Sequence, residues 1–177
     1  VREKGMALYK SMWTQISEHF SDYSYKLIFE SANEELCHRL NDSDVTGTEG
    51  VLSEDECYET TNRINSEFVK LVRSTGGKNA DRFLLIAGYN TDFRKTCDDR
   101  YQMPEDTAKD KLLLSVHYYT PWDYCSDSNA KRWGTPGDYE EQNSLFQMLT
   151  KFTDRGYGVV IGEYAVMGAA NKPDRDK

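Results

Sequence analysis

At 177 residues the chain can bury one real core and is too short for two comfortable domains. A net charge of −8, a pI near 4.9 and the absence of any basic run argue against a nucleic-acid surface. Apolar runs are only a few residues long, which leaves no transmembrane helix, and the opening VREKG carries no signal-peptide pattern.

Tyr9, Met12, Trp13, Ile16 and Phe20 recur at helical spacing, so an amphipathic helix is predicted from about Gly5 to Phe20. Asp22-Tyr23-Ser24 then turns the chain into a strand near 26–30. Its residues Leu27, Ile28 and Phe29 read as buried on both faces, as in a parallel sheet covered by helices. The polar stretch from Cys37 to Gly50 reads as a long loop above that strand's end. Ser53 with Glu56 forms a capping box, opening a helix that turns Ile64, Phe68, Leu71 and Val72 to one side and stops at Gly76-Gly77.

Strands are predicted near 83–88 and 111–118, separated by a polar stretch, Thr91 to Asp110, that is a poor helix or a loop. After a loop with Pro121, Trp122, Trp133, Gly134 and Pro136, a helix is predicted from about Tyr139 to Thr153, with Leu145, Met148, Leu149 and Phe152 inward. A fourth strand, near 157–162, contains Val159, Val160 and Ile161 and runs into Glu163. The tail from Gly168 to Lys177 is polar and reads as loop. Helices alternating with strands imply βαβ units on a parallel sheet, an α/β fold. No glycine-rich phosphate loop comes after any strand, which disfavours a nucleotide-binding domain.

The chemistry-bearing residues gather at strand ends, where open α/β sheets and barrels place their sites. Glu34 lies just past the first strand, with Asn33 beside it. Glu163 closes the fourth, and His117 ends the third with Tyr119 on the same side. Taken singly, Glu34 or Glu163 is a solvated loop glutamate and His117 a satisfied core histidine. Together, at equivalent strand ends, they suit a two-carboxylate reaction. Glu30 reads as a structural partner, and Glu35 stays open beside Glu34. Trp122 and Trp133 are equally readable as loop packing and as stacking platforms for sugar rings. The four cysteines, Cys37, Cys57, Cys97 and Cys125, lack CxxC spacing, which argues against zinc and leaves disulfides and free thiols both open.

The segments LIFESANE, VHYYTPW and VVIGEY, in this order and at these strand ends, resemble glycoside hydrolase family 5, the cellulase-type (β/α)8 barrels, and within it the endoglucanases and xyloglucanases. WTQISEHFSDY and LVRSTGGKNADRFLLIAGY extend the resemblance over most of the chain. It implies that Glu34 is the general acid/base after the fourth barrel strand, with Asn33 its neighbour in the substrate site. It makes His117 and Tyr119 the strand-six pair lining the site, Trp122 a substrate contact and Glu163 the nucleophile after strand seven.

The family's first three strands and its last have no counterpart in the sequence, so the expected fold is a single domain forming a partial (β/α)8 barrel of about four strands. Its exposed edges predict association with a second copy or with a complementing fragment. The implied activity is retaining hydrolysis of a secreted, endo-β-1,4-glucanase type, with a β-glucan as partner, no membrane partner, and no metal or organic cofactor. Xyloglucan, xylan or mannan could replace cellulose-type glucan, and a catalytically weak carbohydrate-binding half-barrel is the competing reading. On a flat sheet with strands about 4.8 Å apart the two glutamates would stand about 14 Å from each other, so only curvature brings them together.

Overall fold

The computed structural model describes residues 2–126 and 132–168. Four strands, β1 (Phe29–Glu30), β2 (Leu84–Ala87), β3 (Leu112–Tyr118) and β4 (Gly158–Tyr164), form one parallel sheet in the order β1-β2-β3-β4. Between them run the connections that the alternating pattern requires. Helix α1 (Arg2–His19) precedes β1, and α2 (Ser43–Thr46) and α3 (Glu54–Ser74) lead to β2. The short α4 (Phe93–Thr96) lies before β3, and α5 (Trp122–Ser126), α6 (Pro136–Met148) and α7 (Thr150–Thr153) lie between β3 and β4. This is about half of a (β/α)8 barrel.

Helices cover one face of the sheet. Phe29, Leu84, Ile86 and Leu112 pack there against Phe68, Val69 and Val72 of α3, with Tyr9, Trp13 and Ile16 of α1 alongside. Trp13 meets the Phe68 ring edge-on at 4.6 Å. Met12, one residue off that stripe, is exposed. Further along, Leu114 and Val116 join Tyr58, Leu145, Leu149 and Phe152, with Val159 and Ile161 packed against them.

The opposite face corrects the sequence expectation. Side chains alternate across a strand, so Ile28, Glu30, Leu113, Ser115 and Val160 belong to the uncovered side. Ile28 is 45% exposed and Val160 37%. Four strands enclose nothing, and neither the first nor the fourth strand is buried on both faces. β1 is also shorter than expected, because Leu27 and Ile28 precede the two residues that pair with β2.

Smaller departures have local causes. The stretch from Cys37 to Gly50 is not all loop: it holds a 3-10 turn, His38–Asn41, and then α2. The helix expected over 139–153 breaks at Leu149 into α6 and α7; α6 starts at Pro136 behind a Thr135–Asp138 capping box. The Ser53–Glu56 capping box forms as expected, and Gly76 and Gly77 end α3 at φ 70° and 56°. Cys37, Cys57 and Cys97 are free thiols. The segment between Ser126 and Arg132 and the tail beyond Gly168 lie outside the described residues.

Two arginines fasten the irregular segments. Arg73 makes a bidentate ion pair with Asp106, 2.7 Å on each arm, and so pins the loop after α4. Arg82, almost fully buried, directs its five N–H groups to five acceptors: Asn79 Oδ1 and the carbonyls of Phe20, Tyr23, Ser24 and Leu27. Its guanidinium also lies 4.7 Å from the Phe29 ring centroid. The turn between α1 and β1 is built around this one cation.

Candidate active site

β1 ends at Glu30, and a buried polar network carries the chain from there to Glu34. Ser31 N–H donates to Leu85 O at 2.9 Å, and Ser31 Oγ donates to Asn65 Oδ1 at 2.8 Å while accepting Ala87 N–H at 3.0 Å. Asn65 Nδ2 donates to Ala87 O at 2.9 Å, and the Tyr9 hydroxyl donates to Ser31 O at 2.6 Å. Every member has a partner, which is the condition under which a buried polar cluster rigidifies its surroundings. The Cys37 thiol lies 3.1 Å from Asn90 Oδ1 and 3.7 Å from Glu34 O, and burial pushes its pKa up. Glu35 is turned to the backbone, accepting from Asn33 N–H at 2.9 Å. Glu30, expected to be a structural partner, is exposed on the uncovered face.

His117 and Tyr119 leave β3 on the uncovered side. His117 Nδ1 sits 2.9 Å from Glu34 Oε1 and 3.5 Å from Glu163 Oε2. The Tyr119 hydroxyl donates to Glu163 Oε2 at 2.8 Å. Its pKa is raised, chiefly by that hydrogen bond, so the phenol stays a donor. Asn33, in the amide orientation that satisfies both its atoms, donates to Glu163 Oε1 at 3.2 Å and accepts Glu34 N–H at 3.3 Å. One ligand atom each from Glu34, His117 and Glu163 lie within 4.8 Å of one another, a spacing that a cation could also use. The curvature that a flat sheet lacks is therefore present: the two carboxylates face each other across the mouth of the sheet.

A cleft of about 670 Å³ opens over these groups. Trp122 lines one side, 66% exposed and edge-on to Tyr119 at 6.3 Å, so its ring is free for contact. Trp133 is instead packed, 4.9 Å from the Tyr139 ring and 6.5 Å from Tyr124. Asn90, Thr91 and Arg94 form the other side. Asn90 and Thr91 both have φ of 51°, rare for residues with a side chain. Nothing in their letters singles them out. For Asn65 a signal existed, since it is a polar residue on the apolar face of α3.

Comparison with known proteins bears on the fold and the family. The family model for cellulase, glycosyl hydrolase family 5, matches residues 2–177. Endoglucanase A of Paenibacillus barcinonensis is 32% identical over 95% of this chain and 44% of its own length. The xyloglucan-specific endo-beta-1,4-glucanase BoGH5A of Bacteroides ovatus is 33% identical over 88% of this chain and 32% of its own. A family 5 lichenase from Caldicellulosiruptor sp. F32, solved as a mutant with cellotetraose, superposes with a TM-score of 0.81 at 29% identity, covering 98% of this chain and 48% of that one. The chain thus spans less than half the length of these relatives. Matched by the family model over nearly its whole length, the chain belongs to glycosyl hydrolase family 5, the cellulase family.

Proposed function

We propose that the protein carrying this chain is a retaining endo-β-1,4-glucanase, with Glu163 as nucleophile and Glu34 as general acid/base. The observation that carries the reading is the carboxylate spacing. Glu34 and Glu163 oxygens lie within 4.8 Å. Retaining glycosidases hold their carboxyl groups about 5–5.5 Å apart, whereas inverting ones leave roughly 6.5–9.5 Å for a water. A Glu163 oxygen attacks the anomeric carbon and forms a glycosyl ester as the bond to the leaving sugar breaks. Glu34 gives its proton to the departing oxygen, then takes one from the water that cleaves the ester.

Tyr119 and Asn33 hold one oxygen each of Glu163, and His117 bridges the pair. Trp122 offers a sugar-stacking ring. The substrate is a β-1,4-glucan, in keeping with the cellotetraose in the lichenase complex; a xyloglucan is the nearest variant, after the Bacteroides ovatus relative. A secreted protein fits a polymeric substrate, and residues 1–177 form one part of its catalytic domain. The uncovered sheet face would be closed by further barrel strands or a second copy.

Replacing Glu163 with Gln keeps the shape and removes the nucleophile. On the protein at its full natural length, Glu163→Gln should cut glucan hydrolysis by on the order of 10⁵-fold while sugar binding persists. Reducing-sugar release at the parental rate would remove Glu163 from the mechanism. One observation favours a second reading, a carbohydrate-binding half-barrel without turnover: the Glu34 and Glu163 side chains are 37% and 44% exposed. Retention on a glucan without sugar release by the parent would select it.

A further inference from the structure

The aim of Glu163 depends on one inserted residue. Up to Val116, β3 and β4 pair residue for residue. Leu114 stands opposite Val159 and Val116 opposite Ile161 on the helix-covered side, with Ser115 opposite Val160 on the uncovered side. The next pair is His117 with Glu163, so Gly162 has no partner. Under unbroken pairing Glu163 would stand opposite Tyr118. Tyr118 belongs to the other face, where its ring stacks on Phe146 and meets Phe93. A one-residue bulge reverses the alternation and re-aims the side chains beyond it.

We propose that Gly162 is a positioning residue: its bulge turns Glu163 into the cleft, and its lack of a side chain lets β4 close against Ser115 of β3. The inference rests on the reading of Glu163 as nucleophile. Space, not backbone conformation, asks for glycine here, because Gly162 is not among the glycines with positive φ. A Cβ at this position would stand 2.9 Å from Ser115 Oγ and 3.4 and 3.5 Å from Nε2 and Cδ2 of His117. The Ser115 hydroxyl is buried with no hydrogen-bond partner, so it has no bond to lose by turning away, but closely packed surroundings limit where it can go. The His117 ring, tied to Glu34 at 2.9 Å, stays at ordinary contact distance from the added carbon. A methyl group at Gly162 therefore presses on Ser115 Oγ, and where that hydroxyl cannot clear the space, β4 backs away and carries Glu163 with it.

The test uses G162A, S115A and the double variant S115A/G162A, made in the protein at its full natural length. G162A is expected to lower kcat by roughly 10- to 100-fold with little change in KM, the scale of a sub-ångström to ångström misplacement of reacting groups. S115A alone should leave activity near the parent's, and S115A/G162A should recover most of the loss. A crystal structure of G162A should show the Tyr119–Glu163 contact lengthened from its 2.8 Å. Parental kcat in G162A, or an unchanged contact in its structure, would overturn the proposal. If G162A does not fold, the double variant decides: recovery of the folded, active protein supports the clash, and failure to recover overturns it. Should the parent itself prove inactive on glucans, the assigned function fails, and the structural comparison still decides the role of Gly162.

Discussion

Glu34 and Glu163 reach one cleft from opposite kinds of support. Glu34 comes after a strand only two residues long and is held by side chains: Ser31, Asn65 and Tyr9 bond one another and the ends of β1 and β2. Glu163 rides a seven-residue strand and is aimed by backbone phase, through the unpaired Gly162. Side-chain support fails by degrees when a partner is removed, whereas register has only two outcomes, one for each face. The two glutamates should therefore respond differently to damage around them.

The largest contrast lies at Glu34, the proposed acid/base. Glu34→Ala is expected to slow hydrolysis of natural glucan by about 10²–10⁴-fold. An aryl glycoside whose leaving group needs no protonation should lose far less in its first step, and a burst of released phenol would reveal it. Equal losses on both substrates would deny Glu34 the role of acid. Next comes its support. Ser31→Ala leaves Asn65 Oδ1 and Ala87 N–H without their buried partner. It should cost about 1–3 kcal/mol of stability in urea titration, with a graded loss of activity. Loss of stability without any effect on turnover would mean that the network holds the fold and not the glutamate.

The smallest effect is far from both. Hydrogen bonds from Arg100 hold the half-buried Asp98 carboxyl down from its ordinary 3.8 to about 2. A carboxyl whose folded pKa is depressed adds stability above its unfolded pKa and loses it as pH falls through the folded one. Parent and Asp98→Asn should therefore differ slightly in urea midpoint near neutrality and converge as pH drops from about 4 towards 2. Their difference should also shrink with salt, since the pair is partly open to solvent. A gap that widens on acidification would contradict the assignment.

Much of the parallel order was readable because RFLLIAG and KLLLSVHYY are apolar runs between helical periods. The strand ends then singled out Glu34, His117, Tyr119 and Glu163 as a group, and the fold brings those four together. The features that escaped are those that depend on pairing. VVIGEY read with a strict period of two sends Glu163 to the same face as Val159 and Ile161; only the partner strand reveals the slip at Gly162. LIF looked like a strand covered on both sides because apolar letters do not say how many strands surround them, and Ile28 turned out to face the uncovered side. Asn65 could have been noticed as a polar residue amid an apolar stripe. Asn90 could not, since its partners, Leu36 O and the Cys37 thiol, come from another segment.

Arg82 leaves a different kind of imprint. Four of its five acceptors are main-chain carbonyls, which every amino acid supplies alike. The lock therefore recognises the path of residues 20–27 and is indifferent to the side chains at Ser21, Asp22 and Ser24. Those three positions are free to drift in sequence, or to be rewritten by an engineer, so long as the path is kept. The freedom does not extend to the cation. A lysine brings three donors to five acceptors and strands two of them, so a substitution that preserves charge would forfeit the turn.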